Sequence, residues 1–163
     1  MADFLRPFVV LVSMVFMVVL QVVLTRYIPF LRMLDLPLLS VLYLTIARES
    51  LLWTIVSGSA VGFLQDSLSL SALGMNGFTK ISIGTLAYLA NSILAFDRVP
   101  ARFGLLFVSS ILGSLLFLVL KILFLNRGEV IEGKGLLVSG ALNACAGLVL
   151  FYLFDKIIKP PGE

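Results

Sequence analysis

Charged residues divide the chain into six apolar runs, and the lengths of those runs predict its elements. The uncharged stretches cover 7–25, 36–47, 51–65, 81–96, 103–120 and 135–154. A straight helix needs about 20 apolar residues to cross roughly 30 Å of hydrocarbon. The first and last runs meet that length, and the fifth does so if it continues past Lys121 to Leu125. The fourth does so if it starts in the seventies and takes in Lys80. The runs at 36–47 and 51–65 are short. Arg48-Glu49-Ser50 between them reads as the turn of a tight helical hairpin, shielded by other helices. The pattern predicts an all-α integral membrane protein, a single polytopic domain of about six transmembrane helices in one bundle. Its spans fall near 7–25, 36–47, 51–65, 78–96, 103–125 and 135–158, with five helices as the alternative if 36–65 does not cross twice.

Composition strengthens this reading. Of 163 residues, 60% are hydrophobic and 13% charged, and the mean hydropathy is +1.12. A soluble domain holds about half apolar and about a quarter charged residues. The run at 7–25 has a barely basic lead and no A-x-A site after it, so it reads as a retained helix rather than a signal peptide. The tail after Ile158 reads as loose, because Pro160-Pro161 cannot continue a helix.

The net charge of +3 is a topology signal rather than a nucleic-acid footprint, since the basic residues are scattered singly. With a cytoplasmic N-terminus, Arg6, Arg48, Arg98, Arg102, Lys156 and Lys159 fall inside, while Arg26, Arg32, Lys80, Arg127 and Lys134 fall outside. Six against five is a thin margin. The even helix count places both termini on one side, read as cytoplasmic.

Few residues offer chemistry. There is no histidine, which removes the commonest general base and metal ligand. Cys145 is the single cysteine, so no disulfide forms, and its place in an apolar run reads as a small buried residue. Asp35, Glu49, Asp97, Glu129, Glu132 and Asp155 all lie at run ends or in loops, leaving Asp66 without an acidic partner for a proteolytic dyad. Gln65, Asp66 and Asn76 are too few oxygens for a hard-cation site. The expectation is a protein without catalytic residues, metal or cofactor. Lys121 reads as snorkelling to the surface. Gln21, Asn91 and Asn143 read as interhelical hydrogen-bonding residues. Trp53, Tyr27, Tyr43, Tyr88 and Tyr152 lie mostly near run ends, as interfacial anchors do.

The stretch "GFLQDSLSLSALGMNG" at 62–77 is the most informative. On a helix through 51–65, Gly58 and Gly62 share a face that Asp66 continues, and glycines at that spacing let a neighbouring backbone approach closely. A packing groove within the bundle is the favoured reading over an intermolecular contact. A carboxylate at the membrane centre costs about 2.5–3.5 kcal/mol on insertion scales. Asp66 is therefore expected near the interface, paired, protonated, or capping the next segment through the N–H groups of Leu68 or Ser69. A pairing with Lys80 across the turn is also open. Gly74 and Gly77 then let the chain reverse.

A helix ending in "GFLQD", a serine-rich turn, "LGMNGF" and a helix containing "AYL" together resemble the rod shape-determining protein MreD family. In that family an Asp follows the third helix, and a "PLG" or "ALG" element follows some residues later. Asp66 and Gly74, eight residues apart, occupy those positions, with "DLPLLSVLYLTIARES" ahead of them. The resemblance implies a fold like the six-helix substrate-binding subunits of energy-coupling-factor transporters. It also implies a non-enzymatic scaffold of the bacterial inner membrane that binds MreC and helps control cell shape and lateral peptidoglycan synthesis. RodA, PBP2 and MreB would be reached through the complex. Membrane lipid and a second copy of the chain are further candidate partners. On this reading Gly58, Gly62, Gln65, Asp66, Gly74 and Asn76 form a structural joint between the third and fourth helices. The alternative function is a small-molecule-binding membrane subunit of a transporter, with Asp66, Asn76 and Lys80 near a pocket wall.

Overall fold

The computed structural model describes residues 2–69, 72–93, 98–125 and 133–158. They form six helices: α1 (Ala2–Tyr27), α2 (Leu36–Arg48), α3 (Leu51–Ser69), α4 (Met75–Ile93), α5 (Val99–Leu125) and α6 (Gly133–Ile158). A short 3-10 turn, Pro29–Met33, joins α1 to α2. Among the described residues no strand occurs. Phe30–Arg48, Val99–Leu125 and Gly133–Lys156 are long and apolar enough to cross a membrane, and Val12–Tyr27 is a shorter apolar stretch. The molecule is a membrane protein.

The helix α2 is the axis of the bundle. Its 13 residues rise only about 20 Å, and every residue from Pro37 through Thr45 is buried. Its neighbours make it interior: α2 packs against each of the other five helices. Asp35 caps its start, its Oδ1 accepting from the Leu38 N–H at 3.0 Å, with Pro37 in the first turn. Glu49 ends it in the left-handed conformation (φ 46°), its N–H donating to the Thr45 carbonyl. The expected hairpin turn at Arg48-Glu49-Ser50 therefore forms, and a bond between the Thr54 and Thr45 hydroxyls ties α3 back to α2.

The main core gathers Leu39, Leu42 and Tyr43 of α2 with Leu106 of α5 and Ala144 and Phe151 of α6. A smaller cluster sets Met14 and Val18 of α1 against Val41, Leu44 and Val61. The outer surface is just as apolar: Phe16, Leu52, Phe63, Leu86 and Val149 are all exposed. Lipid is as apolar as leucine, so close packing and polar contacts hold such a bundle together, not exclusion of water.

Several boundaries differ from the pattern of charges. The first helix begins at Ala2, the third runs on to Ser69, the fourth begins at Met75 and the fifth at Val99. A charge ended each run in the sequence, but at these ends the charged side chain sits within helical backbone. The expected end of the fourth span at 96 and the loose tail beyond 158 lie outside the described residues. Cys145 is exposed rather than buried. Tyr43 is 4% exposed, its ring packed on Phe151 and Phe154, and so is a core residue rather than an interfacial anchor.

Candidate functional site

Consecutive helices alternate in direction, which collects polar residues at the two ends of the bundle. At one end, the last turns of α3 meet the first turn of α4. Gly62 permits that meeting: a Cβ there would overlap the backbone of Gly77 and Asn76. A Cβ on Gly58, one turn earlier, would lie 3.1 Å from the Ile81 amide nitrogen. The groove made by Gly58 and Gly62 is filled by α4 of the same chain. Gly74 then turns the chain with φ +94°, a region side chains rarely adopt, although open space surrounds it.

Asp66 stands in the last turns of α3 and is fully buried. Its Oδ2 accepts from the Gly74 N–H at 2.8 Å and the Asn76 N–H at 3.2 Å. Its Oδ1 accepts from the Asn76 side-chain amide at 2.7 Å. The first N–H groups of a helix have no intrahelical acceptor and carry partial positive charge. Asp66 supplies acceptor oxygens to the start of α4, from another helix. The capping predicted for Leu68 and Ser69 is thus replaced by capping of Gly74 and Asn76, because α3 continues through Asp66 and leaves its carboxylate facing α4.

Asn76 passes the network on. Lys80, one turn further along α4 and fully buried, donates to the Asn76 Oδ1 at 3.5 Å and pairs with Asp35 Oδ2 at 3.4 Å. Asn76 therefore bridges Asp66 to Lys80, and the carboxylate paired with Lys80 is Asp35. Asp35, expected at a run end or in a loop, caps α2, meets the buried Lys80 and stays one-third exposed. The charge count that put Lys80 in an outer loop is corrected by its place inside α4.

The segment before α2 is irregular, and backbone without helical partners is tolerated at membrane depth only where protein satisfies it. Gln21 of α1 donates to the carbonyls of Leu31 (3.2 Å) and Leu34 (2.7 Å). Asn143 of α6 donates to the Met33 carbonyl at 2.9 Å and accepts from the Asp35 N–H at 2.8 Å. It also reaches the Ser110 hydroxyl of α5 at 2.7 Å. Gln21 and Asn143 thus hold a connector, and they also make the helix-to-helix bonds expected of them: Gln21 Oε1 accepts from the Leu36 N–H of α2 at 3.4 Å, and Asn143 reaches Ser110.

Beside this network lies a cavity of about 620 Å³, lined by residues of all six helices. Gln65 lines it, with a buried Oε1 that has no hydrogen-bond partner among the described residues. Of the six sequence candidates, Gly62, Asp66, Gly74 and Asn76 form one contact set, Gly58 packs one turn away, and Gln65 turns to the cavity instead. Lys121 also lines the cavity, its Nζ 5.5 Å from the Phe117 ring centre. Asp35, Gln21 and Asn143 are the members that sequence reasoning left out of the site, and Lys80 entered it only as an open partner of Asp66 and in the alternative pocket. Asn76 and Lys80 at a four-residue spacing, and Asp35 two residues before Pro37, were the available signals. Among the described residues no group of three or more His, Cys, Asp or Glu side chains comes together as a metal site.

Comparison with known proteins places this geometry. The family model described as rod shape-determining protein MreD matches residues 2–158. Neither the curated proteins nor the solved structures give a significant match. The family match runs through every helix described above, including the Asp66 cap and the Gly74 turn, and the chain belongs to the MreD family of rod shape-determining membrane proteins.

Proposed function

We propose that this protein is a non-enzymatic scaffold of the bacterial cell-elongation complex, seated in the inner membrane with both termini in the cytoplasm. It binds the MreC transmembrane segment laterally, and through that complex reaches RodA, PBP2 and MreB to influence lateral peptidoglycan synthesis. The match to the MreD family over residues 2–158 carries this reading. The architecture agrees with it. The best-buried polar groups serve internal bonds, while an apolar exterior is free for helix-to-helix contact. The joint from Asp66 to Gly77 sets how α3 and α4 cross, and so the shape of the face they present.

The test is co-purification. The tagged chain, extracted in mild detergent with MreC of the same organism, is expected to elute with it as one species in size-exclusion chromatography. Clean recovery of this chain without MreC, under conditions that keep both folded, counts against the proposal. The cavity favours the alternative of a small-molecule-binding transporter subunit, whose mark is thermal stabilisation by a vitamin-sized compound.

A further inference from the structure

The cavity has features that a packing defect lacks. Its volume of about 620 Å³ lies within the roughly 300–1,000 Å³ typical of ligand sites. Its wall comes from the last turns of α1 and α3, the first turns of α2, α4 and α6, and the second half of α5. Two guanidinium groups, Arg26 and Arg32, line it from exposed positions. Among the described residues neither has a carboxylate within ion-pair distance. Among the described residues the lining holds one acid, Asp35, and it is already paired with Lys80. The lining therefore carries more basic than acidic side chains among the described residues. In the same lining, the buried Gln65 Oε1 lacks a donor among the described residues, and a buried acceptor without a partner carries a desolvation cost that a ligand hydroxyl relieves.

We propose that this cavity binds a phosphate ester carrying hydroxyl groups. The phosphate sits between Arg26 and Arg32, whose planar forks match its oxygens. A hydroxyl donates to Gln65 Oε1. The headgroup of an anionic glycerophospholipid has this chemistry. Leu68 offers an apolar route for its chains, since it lines the cavity and is 48% exposed on the outer surface. A soluble glycerophosphate has the same polar groups without the chains.

The experiment measures thermal unfolding of the delipidated full-length chain in maltoside detergent, with native mass spectrometry of retained ligands. Three probes are added separately: phosphatidylglycerol, phosphatidylcholine and glycerol 3-phosphate. Phosphatidylglycerol is expected to stabilise the protein and to stay bound, while phosphatidylcholine, zwitterionic and without hydroxyl donors, does neither. Arg26→Ala, Arg32→Ala and Gln65→Leu, made singly, each weaken phosphatidylglycerol binding by roughly tenfold, the size of one lost charge-assisted or buried hydrogen bond. The arginines are exposed, so folding survives their removal. Stabilisation by glycerol 3-phosphate but not by phosphatidylglycerol supports the same chemistry and assigns it to a soluble ester. Equal binding of both lipids, no effect of any probe, or unchanged binding by the variants overturns the proposal.

Discussion

Two carboxylates sit at opposite ends of this bundle and are held in opposite ways. Asp66 is fully buried, and the bonds described for it run to backbone and side-chain N–H groups at the start of α4. Asp155, in the last turns of α6, accepts from the Tyr43 hydroxyl at 3.2 Å and pairs with Arg102 at 3.0 Å. Both members of that pair are partly exposed, at 21% and 28%. The first carboxylate satisfies donors that have no intrahelical acceptor; the second meets the buried Tyr43 hydroxyl and a partly exposed Arg102 that water can also serve. Both are helix-to-helix contacts drawn with comparable distances, yet removing them should have unequal consequences. Burial and the lack of a substitute partner set the difference, not the bond length.

Substitutions at the two ends sharpen that contrast. The largest effect is expected at Gly62, where even one carbon has no space: Gly62→Ala should cost about 3 kcal/mol of stability as overpacking against backbone, and Gly62→Val should abolish recovery of monodisperse protein in size-exclusion chromatography. Asp66→Ala comes next, stranding the Gly74 and Asn76 donors at a cost of about 2–3 kcal/mol in denaturant titration. Asp66→Asn should recover part of that loss, since it keeps one acceptor oxygen. Unchanged melting of both Asp66 variants would refute the capping role. Gly74→Ala should cost about 1–2 kcal/mol through backbone strain alone, because nothing crowds its Cβ. At the far end, Asp155→Asn should cost less than about 1 kcal/mol, with an effect that shrinks as salt is raised. A loss at Asp155 equal to that at Asp66 would erase the distinction between the two ends.

The runs of uncharged residues foretold the order of the helices and the tight α2–α3 turn, because charges are expelled from apolar interiors and mark the ends of spans. The same rule misplaced the end of α3. Asp66 stops the run, but the helix continues, since the donors that stabilise its carboxylate belong to a later segment. Lys80 was opaque for a related reason: its partner Asp35 lies 45 residues away in the chain. Cys145 shows another limit. In a membrane bundle the core and the lipid-facing surface are equally apolar, so hydropathy alone does not say which way a small residue points. The cavity was the least visible feature, because its polar wall is assembled from single residues, each unremarkable within its own run.

The cap made by Asp66 also has a consequence for synthesis. The chain emerges in order, so α3 is complete before Gly74 and Asn76, eight and ten residues after Asp66, have been made. Until they arrive, the carboxylate lacks its proper donors, at a cost below that of a charge at a helix centre, about 2.5–3.5 kcal/mol, because Asp66 stands in the last turns of α3. The two helices are thus expected to enter the membrane as a couple, with α3 waiting at the insertion machinery for its successor. A nascent chain halted after residue 70 should integrate α3 less efficiently than one halted after residue 93. The joint, on this view, acts before there is a bundle for it to hold.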